Sequence, residues 1–146
     1  MKILILIILS FANVFAGNVQ VHYEPSEVEL SGQLDLQTFP GPPNYESIKS
    51  GDEPERHYYL ILHGAVDVIL EEKDKASSIN GDSLFNVKVL QLVIGKDEHW
   101  KILRQIGEKG KAKIRGTIFQ RHTGHHHSRV LLDVKDIQMD QTKTSH

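Results

Sequence analysis

The stretch VKVLQLVIGKDEHWKILRQIGEKGKAKIRGTIF, Val87 to Phe119, decides the fold. It opens on an apolar run, Val87–Ile94, closed by Gly95, which reads as a strand. The period then changes. Between Lys96 and Lys109 the residues Trp100, Leu103 and Ile106 recur at every third position with Ile102 beside them, so one apolar stripe runs along a helix. Asp97 and Glu98 in its first turn and Lys109 in its last complement the helix dipole, and Gly110 supplies a stop. Lys111–Phe119 returns to period two, with Ala112, Ile114, Gly116 and Ile118 facing inward.

Working outward, Val28–Gln37 alternates strictly, with Val28, Leu30, Gly32, Leu34 and Leu36 on one face. HYYLILH, His57–His63, is a second strand, broken at Gly64 and continued after a bend through Leu70. RVLLDVKDIQM, Arg129–Met139, is a further strand, bent near Asp136 where the apolar phase slips. Three polar or breaker-rich segments separate these runs: FPGPPNYESIKSGDEPE (Phe39–Glu55), Glu71–Ser83 and QRHTGHHHS (Gln120–Ser128).

The order is strand, strand, strand, helix, strand, strand. This predicts a mainly β chain: a five-stranded OB-like barrel with one helix between strands 3 and 4. A small open sheet packed against one helix is the competing architecture. Gly32 and Gly116, both on inward positions, permit the sharp bends of barrel closure. Trp100, Leu103 and Ile106 are expected to plug the barrel's open end.

The first 16 residues, MKILILIILSFANVFA, carry Lys2, an apolar run and small residues at Val14 and Ala16. That is the three-part pattern of a signal peptide, and the run is too short for a spanning helix. The expected layout is a leader at 1–16, a lead-in at 17–27, the barrel at 28–139 and a flexible tail at 140–146. Export implies a periplasmic or secreted location, with no stable membrane insertion after leader cleavage. The chain has no cysteine, so stability rests on the apolar core, and thiol catalysis and thiolate metal sites are excluded. With 19 acidic residues against 17 basic, one of them in the leader, it is a poor partner for nucleic acid.

In an OB-like barrel the loops after strands 1 and 4 flank one binding face. Here these are Phe39–Glu55 and Gln120–Ser128. The second holds His122, His125, His126 and His127. Neutral imidazole suits Zn, Cu or Ni. His122, His125 and His127 are the candidate metal ligands, with Asp52, Glu53 or Glu55 completing the shell. Asn44, Tyr45 and Glu46 of the proline-stiffened loop join the four histidines as candidate ligand-binding residues. Against this stands a plain structural role, in which the imidazoles bond loop carbonyls and lock the two loops together.

The strings FPGPPNYESIKSGDEPE and KIRGTIFQRHTGHHHSRVLLDV, with the YYLIL strand and Trp100, resemble an uncharacterised family of exported bacterial proteins, a domain of unknown function marked by a TGHHHT signature. Here the signature reads TGHHHS, ending on Ser128. The likeness spans Val28–Val134. It implies a bacterial envelope setting and supplies no activity. The reading that follows is an exported binding module for a small ligand or a periplasmic protein, and not an enzyme. A metal-assisted hydrolase with Glu53 or Glu55 as base is the alternative, though neither HExxH nor GxSxG occurs. An inhibitor or immunity-like protein for a secreted enzyme is the other.

Overall fold

The computed structural model describes residues 17–76 and 78–141. The expected leader lies outside the described residues, as does the tail from 142 onward. Among the described residues six strands and one α-helix follow in chain order: β1 (Val19–His22), β2 (Glu27–Pro40), β3 (Pro54–Ile69), β4 (Leu84–Val93), α1 (Asp97–Ile106), β5 (Lys111–Gln120) and β6 (Val130–Met139). Strands β2 to β6 form a closed ring in the order β3-β2-β5-β6-β4, completed by β4 against β3. Neighbours are antiparallel except β4 and β6, which run parallel. The mixed five-stranded barrel with its helix between the third and fourth barrel strands agrees with the alternation read from the sequence.

The inward-facing residues fill the barrel. Leu30 and Leu34 of β2, Leu60 of β3, Leu90 and Leu92 of β4, Ile114 and Ile118 of β5 and Leu132 of β6 are buried in one cluster. Leu103 of α1 enters it, with Trp100, Ile102 and Ile106 packed alongside. Trp100 also meets the Tyr58 ring at 5.7 Å.

The two inward glycines act by close approach as well as by bending. A methyl group on Gly32 would overlap the carbonyl oxygen of Ile61, and one on Gly116 would overlap that of Asp133. At Gly32, β2 pairs with both Leu62 of β3 and Ala112 of β5, which marks it as a point where the wall passes from one neighbour to the other. Opposite Gly116, β6 carries one extra residue, since Arg115 pairs with Asp136 and Gly116 with Val134. Lys135 is that bulged residue, and it accounts for the phase slip in the sequence.

Three elements differ from expectation. Val19–His22, read as lead-in, is a strand parallel to β3, and Tyr23 behind it is buried with its hydroxyl donating to the Asp82 carbonyl at 3.0 Å. β3 runs unbroken through Gly64, absorbing the bend as a register shift against β4 between Ile61 and Val66. The helix stops at Gly107 rather than Gly110. Gly107 takes φ +84° and returns its N–H to Leu103 at 2.9 Å, a positive-φ exit that glycine accepts freely. The Gly110 carbonyl instead accepts from Leu34 N–H at 2.8 Å, tying the helix exit to β2.

Replacing Gly116 by alanine is expected to destabilise the chain by about 1–3 kcal/mol through overpacking against β6. Gly64, whose added methyl meets nothing within 4 Å, is the matched control and should change stability little. Urea unfolding of the two variants checks this.

Candidate functional site

Side-chain alternation gives the barrel wall an outer face as well as an inner one. Across that outer face the cross-strand partners are Phe39 with Glu55, Gln37 with His57, Asp35 with Tyr59, Tyr59 with Gln91, Gln91 with Leu131 and Leu131 with Phe119. Outward residues of a small barrel normally meet solvent. Here Tyr59, Gln91, Leu131 and Phe119 are buried, yet all four lie outside the main core cluster. The cover is the β5–β6 turn, folded back over the wall. His122 and His126 sit on the Phe119 ring at 5.4 and 5.6 Å, and His127 and His125 reach over Gln91 toward β3.

Gln91 holds this cover down. Its side chain lies in a residue only 2% exposed. Its carbonyl oxygen accepts the backbone N–H groups of His127 at 2.6 Å and Ser128 at 3.1 Å. Its amide nitrogen donates to the carbonyl of His125 at 3.1 Å and to Nδ1 of His57 at 3.2 Å. The two accepted backbone N–H groups fix which end of the amide is oxygen, so Nδ1 of His57 is an acceptor. A neutral His57 then carries its proton on Nε2, which lies 3.5 Å from Oε1 of Glu55. Burial holds the His57 pKa below the usual imidazole range, against the pull of the Glu55 charge. The same carboxylate oxygen accepts from Nδ1 of His125 at 3.2 Å.

The proline-stiffened loop closes the site from the other side. Its organiser is Asp52, 4% exposed. Oδ1 accepts from the backbone and side-chain nitrogens of Asn44 at 2.9 and 3.2 Å, and Oδ2 from the N–H groups of Glu46 and Ser47, both at 2.8 Å. Those backbone donors, with Ser47 first, hold the Asp52 carboxyl below the ordinary carboxylate range. The loop so fixed presents Tyr45 in a left-handed conformation, 49% exposed, with its ring edge-on to His125 at 5.6 Å. Phe39, at the end of β2, stacks on His127 with ring centroids 3.9 Å apart and planes 1° from parallel.

The two loops expected to meet therefore do meet, on the outer face of β2, β3 and β4. Among the described residues the candidate donors fall into two groups. Glu55, His57 and His127 each offer a ligand atom, all within 4.8 Å of one another. His122 and His126 form a separate pair, ring centroids 5.0 Å apart, over Phe119. Burial, and then the neighbouring His122, lower the His126 pKa. Of the expected ligands His122, His125 and His127, only His127 belongs to the convergent trio. Of the expected carboxylates, Glu55 reaches it, whereas Asp52 is consumed within its own loop and Asn44 and Glu46 serve that loop through Asp52. His57 and Gln91 were read as strand residues alone. The available signal was parity: His57 lies two residues from Glu55 on one strand face, and Gln91 is a lone amide inside an apolar run.

Two grooves border the trio. One, of about 390 Å³, is lined by Phe39, Pro40, Tyr45, Gly124, His125 and His127. The other, of about 330 Å³, includes Glu55, His57, Gln91 and Trp100. Among the described residues, Oε2 of Glu55 and Nε2 of His57 are buried atoms with no hydrogen-bond partner.

Residues 89–138 match the family model described as Domain of unknown function (DUF4431). The matched stretch holds Gln91, α1, β5 and the histidine turn, and it leaves out Phe39, Glu55 and His57. A search of curated proteins gives no match. Among the described residues no helix is long and apolar enough to cross a membrane.

Replacing Gln91 by leucine strands the His127 and Ser128 N–H groups beneath the turn. The expected loss is about 1–3 kcal/mol, with faster amide exchange at both residues. Asp52 has a distinct pH signature. Its depressed pKa contributes stability above the ordinary carboxylate range, and that contribution is lost as pH falls through the lowered value. Protection of the Asn44, Glu46 and Ser47 amides, taken as the intrinsic exchange rate at each pH over the observed one, should therefore fall on acidification, and in Asp52→Asn it should already be low at neutral pH.

Proposed function

We propose that this chain is an exported binding module and that Glu55, His57 and His127 bind a transition metal ion of the Zn, Cu or Ni class. One observation carries the reading: two imidazoles and a carboxylate converge on the outer wall, with buried atoms on both Glu55 and His57 that are unpartnered among the described residues. Nitrogen and oxygen donors of this kind suit such ions. Two ligands on one tetrahedral zinc lie roughly 3.3 Å apart, given metal–ligand bonds of about 2.0–2.1 Å. The 3.5 Å between Nε2 of His57 and Oε1 of Glu55 is already close to that. β3 supplies two donors from a rigid strand, and the Gln91 bonds and Phe39 stack steady the third.

The tautomer sets a cost. A metal-ligating histidine usually donates its other ring N–H to an acceptor behind it. Behind His57 stands the Gln91 amide N–H, so an ion that takes Nε2 must displace a proton and loosen that bond. The expected site is weaker than one backed by a carbonyl or carboxylate, by a factor on the order of 10–100.

The reading is a binding module rather than a hydrolase because Glu55, one candidate general base, is itself a member of the donor group, and Glu53, the other, is exposed and outside that group. Export rests on the composition of residues 1–16, with cleavage after Ala16.

Zinc titration of chelator-treated, tag-free protein should show one equivalent bound. His57→Ala and His127→Ala should each abolish saturable binding, and His122→Ala should retain it. Binding that survives His57→Ala and fails in His122→Ala would overturn the assignment.

A further inference from the structure

At the base of the histidine turn, where the β5–β6 hairpin closes, Arg121 N–H donates to the Arg129 carbonyl at 3.1 Å. The two residues face each other one step beyond the Gln120–Val130 pair. Directly opposed residues of an antiparallel pair project from the same face, with Cα atoms about 5.5 Å apart when hydrogen-bonded. Both side chains are exposed. Among the described residues neither guanidinium has an ion-pair partner, whereas Arg115, further back on β5, is held by Glu27 at 2.6 Å. A groove of about 500 Å³ lies between them, lined by Gln120, Arg121, His127 and Arg129. Among the described residues no carboxylate lines it.

The floor of this groove is fixed. The Gln120 side-chain amide donates to the Tyr23 hydroxyl and the Asp82 carbonyl, both at 2.6 Å, and its backbone N–H donates to Oδ1 of Asn80 at 2.7 Å. The hairpin end is thereby tied to the lead-in strand and to the β3–β4 connection. Two uncompensated guanidiniums on a clamped hairpin, in a chain of net charge −2, form a local positive site with little ordering left to do on binding.

We infer that Arg121 and Arg129 form a seat for a tetrahedral oxyanion, phosphate or a phosphate monoester, adjoining the His127 side of the donor cluster. Arginine offers paired N–H groups that match two oxygens of such an anion. His127 belongs both to this groove and to the donor trio. An ion in the trio would share His127 with this groove; that further step rests on the metal reading, and the seat itself does not.

The test is calorimetric titration of the full chain with inorganic phosphate, first treated with chelator and then loaded with zinc. Saturable binding is expected in the metal-free protein, weakened about tenfold or more by Arg121→Gln and by Arg129→Gln, and unchanged by Lys101→Gln on the exposed side of α1. Phenyl phosphate binding more tightly than phosphate marks a monoester as the ligand, and the reverse order marks the free ion. Phosphate binding with no zinc binding leaves the seat standing and removes the metal reading. Phosphate that binds in neither state, or only with zinc and unaffected by both arginine changes, overturns the seat.

Discussion

One buried amide holds the two halves of the site together. Gln91 stands in a wall of apolar side chains, and each of its polar atoms makes two hydrogen bonds that all cross to other segments. A side-chain amide has two donors and at least two acceptor positions, so nothing is left unpaired. Leaving such a group unsatisfied in the interior costs more than the net gain from each bond it makes. The arrangement is therefore strict. β4 must keep the register that sets Gln91 beside Tyr59 and Leu131, and the turn must lie where its backbone meets the amide.

From that constraint the rest of the outer layer follows. Once the turn is held against the wall, Phe119 and Leu131 beneath it are shielded, and His122 and His126 become a lid on an aromatic ring rather than free imidazoles. His127 is carried to Phe39, and His125 to Glu55 and Tyr45. The opposite loop needs no help from the turn to keep its form, because Asp52 gathers its backbone N–H groups internally. Two preformed pieces, one built around a carboxylate and the other pinned by an amide, thus meet over a rigid strand that carries Glu55 and His57.

Much of the barrel was legible because its signal is periodic. Leu30, Leu34, Ile114 and Ile118 follow strict alternation, and Trp100, Leu103 and Ile106 break it with a helical repeat. The bulge at Lys135 was visible as a phase slip. The strand at Val19–His22 was not, since four residues beside a proline carry too little periodicity to tell from a lead-in. The helix stop moved to Gly107 because tertiary pairing of Gly110 with β2, invisible in local sequence, claimed the later glycine. At the site, the meeting of the loops followed from strand order, but the division of the histidines did not. Adjacent residues of a turn can face opposite ways, and which imidazole faces which neighbour is set by backbone bonds to a residue over thirty positions away.

The central claim is that the histidine turn is fastened to the outer wall through Gln91 and thereby laid against the proline-stiffened loop. Nuclear Overhauser contacts in the metal-free, full-length chain test it most directly. The account predicts cross-peaks between the His127 and Phe39 ring protons and between the Gln91 side-chain amide and the Ser128 backbone amide. A turn whose residues show neither contact and average freely in solvent would contradict it.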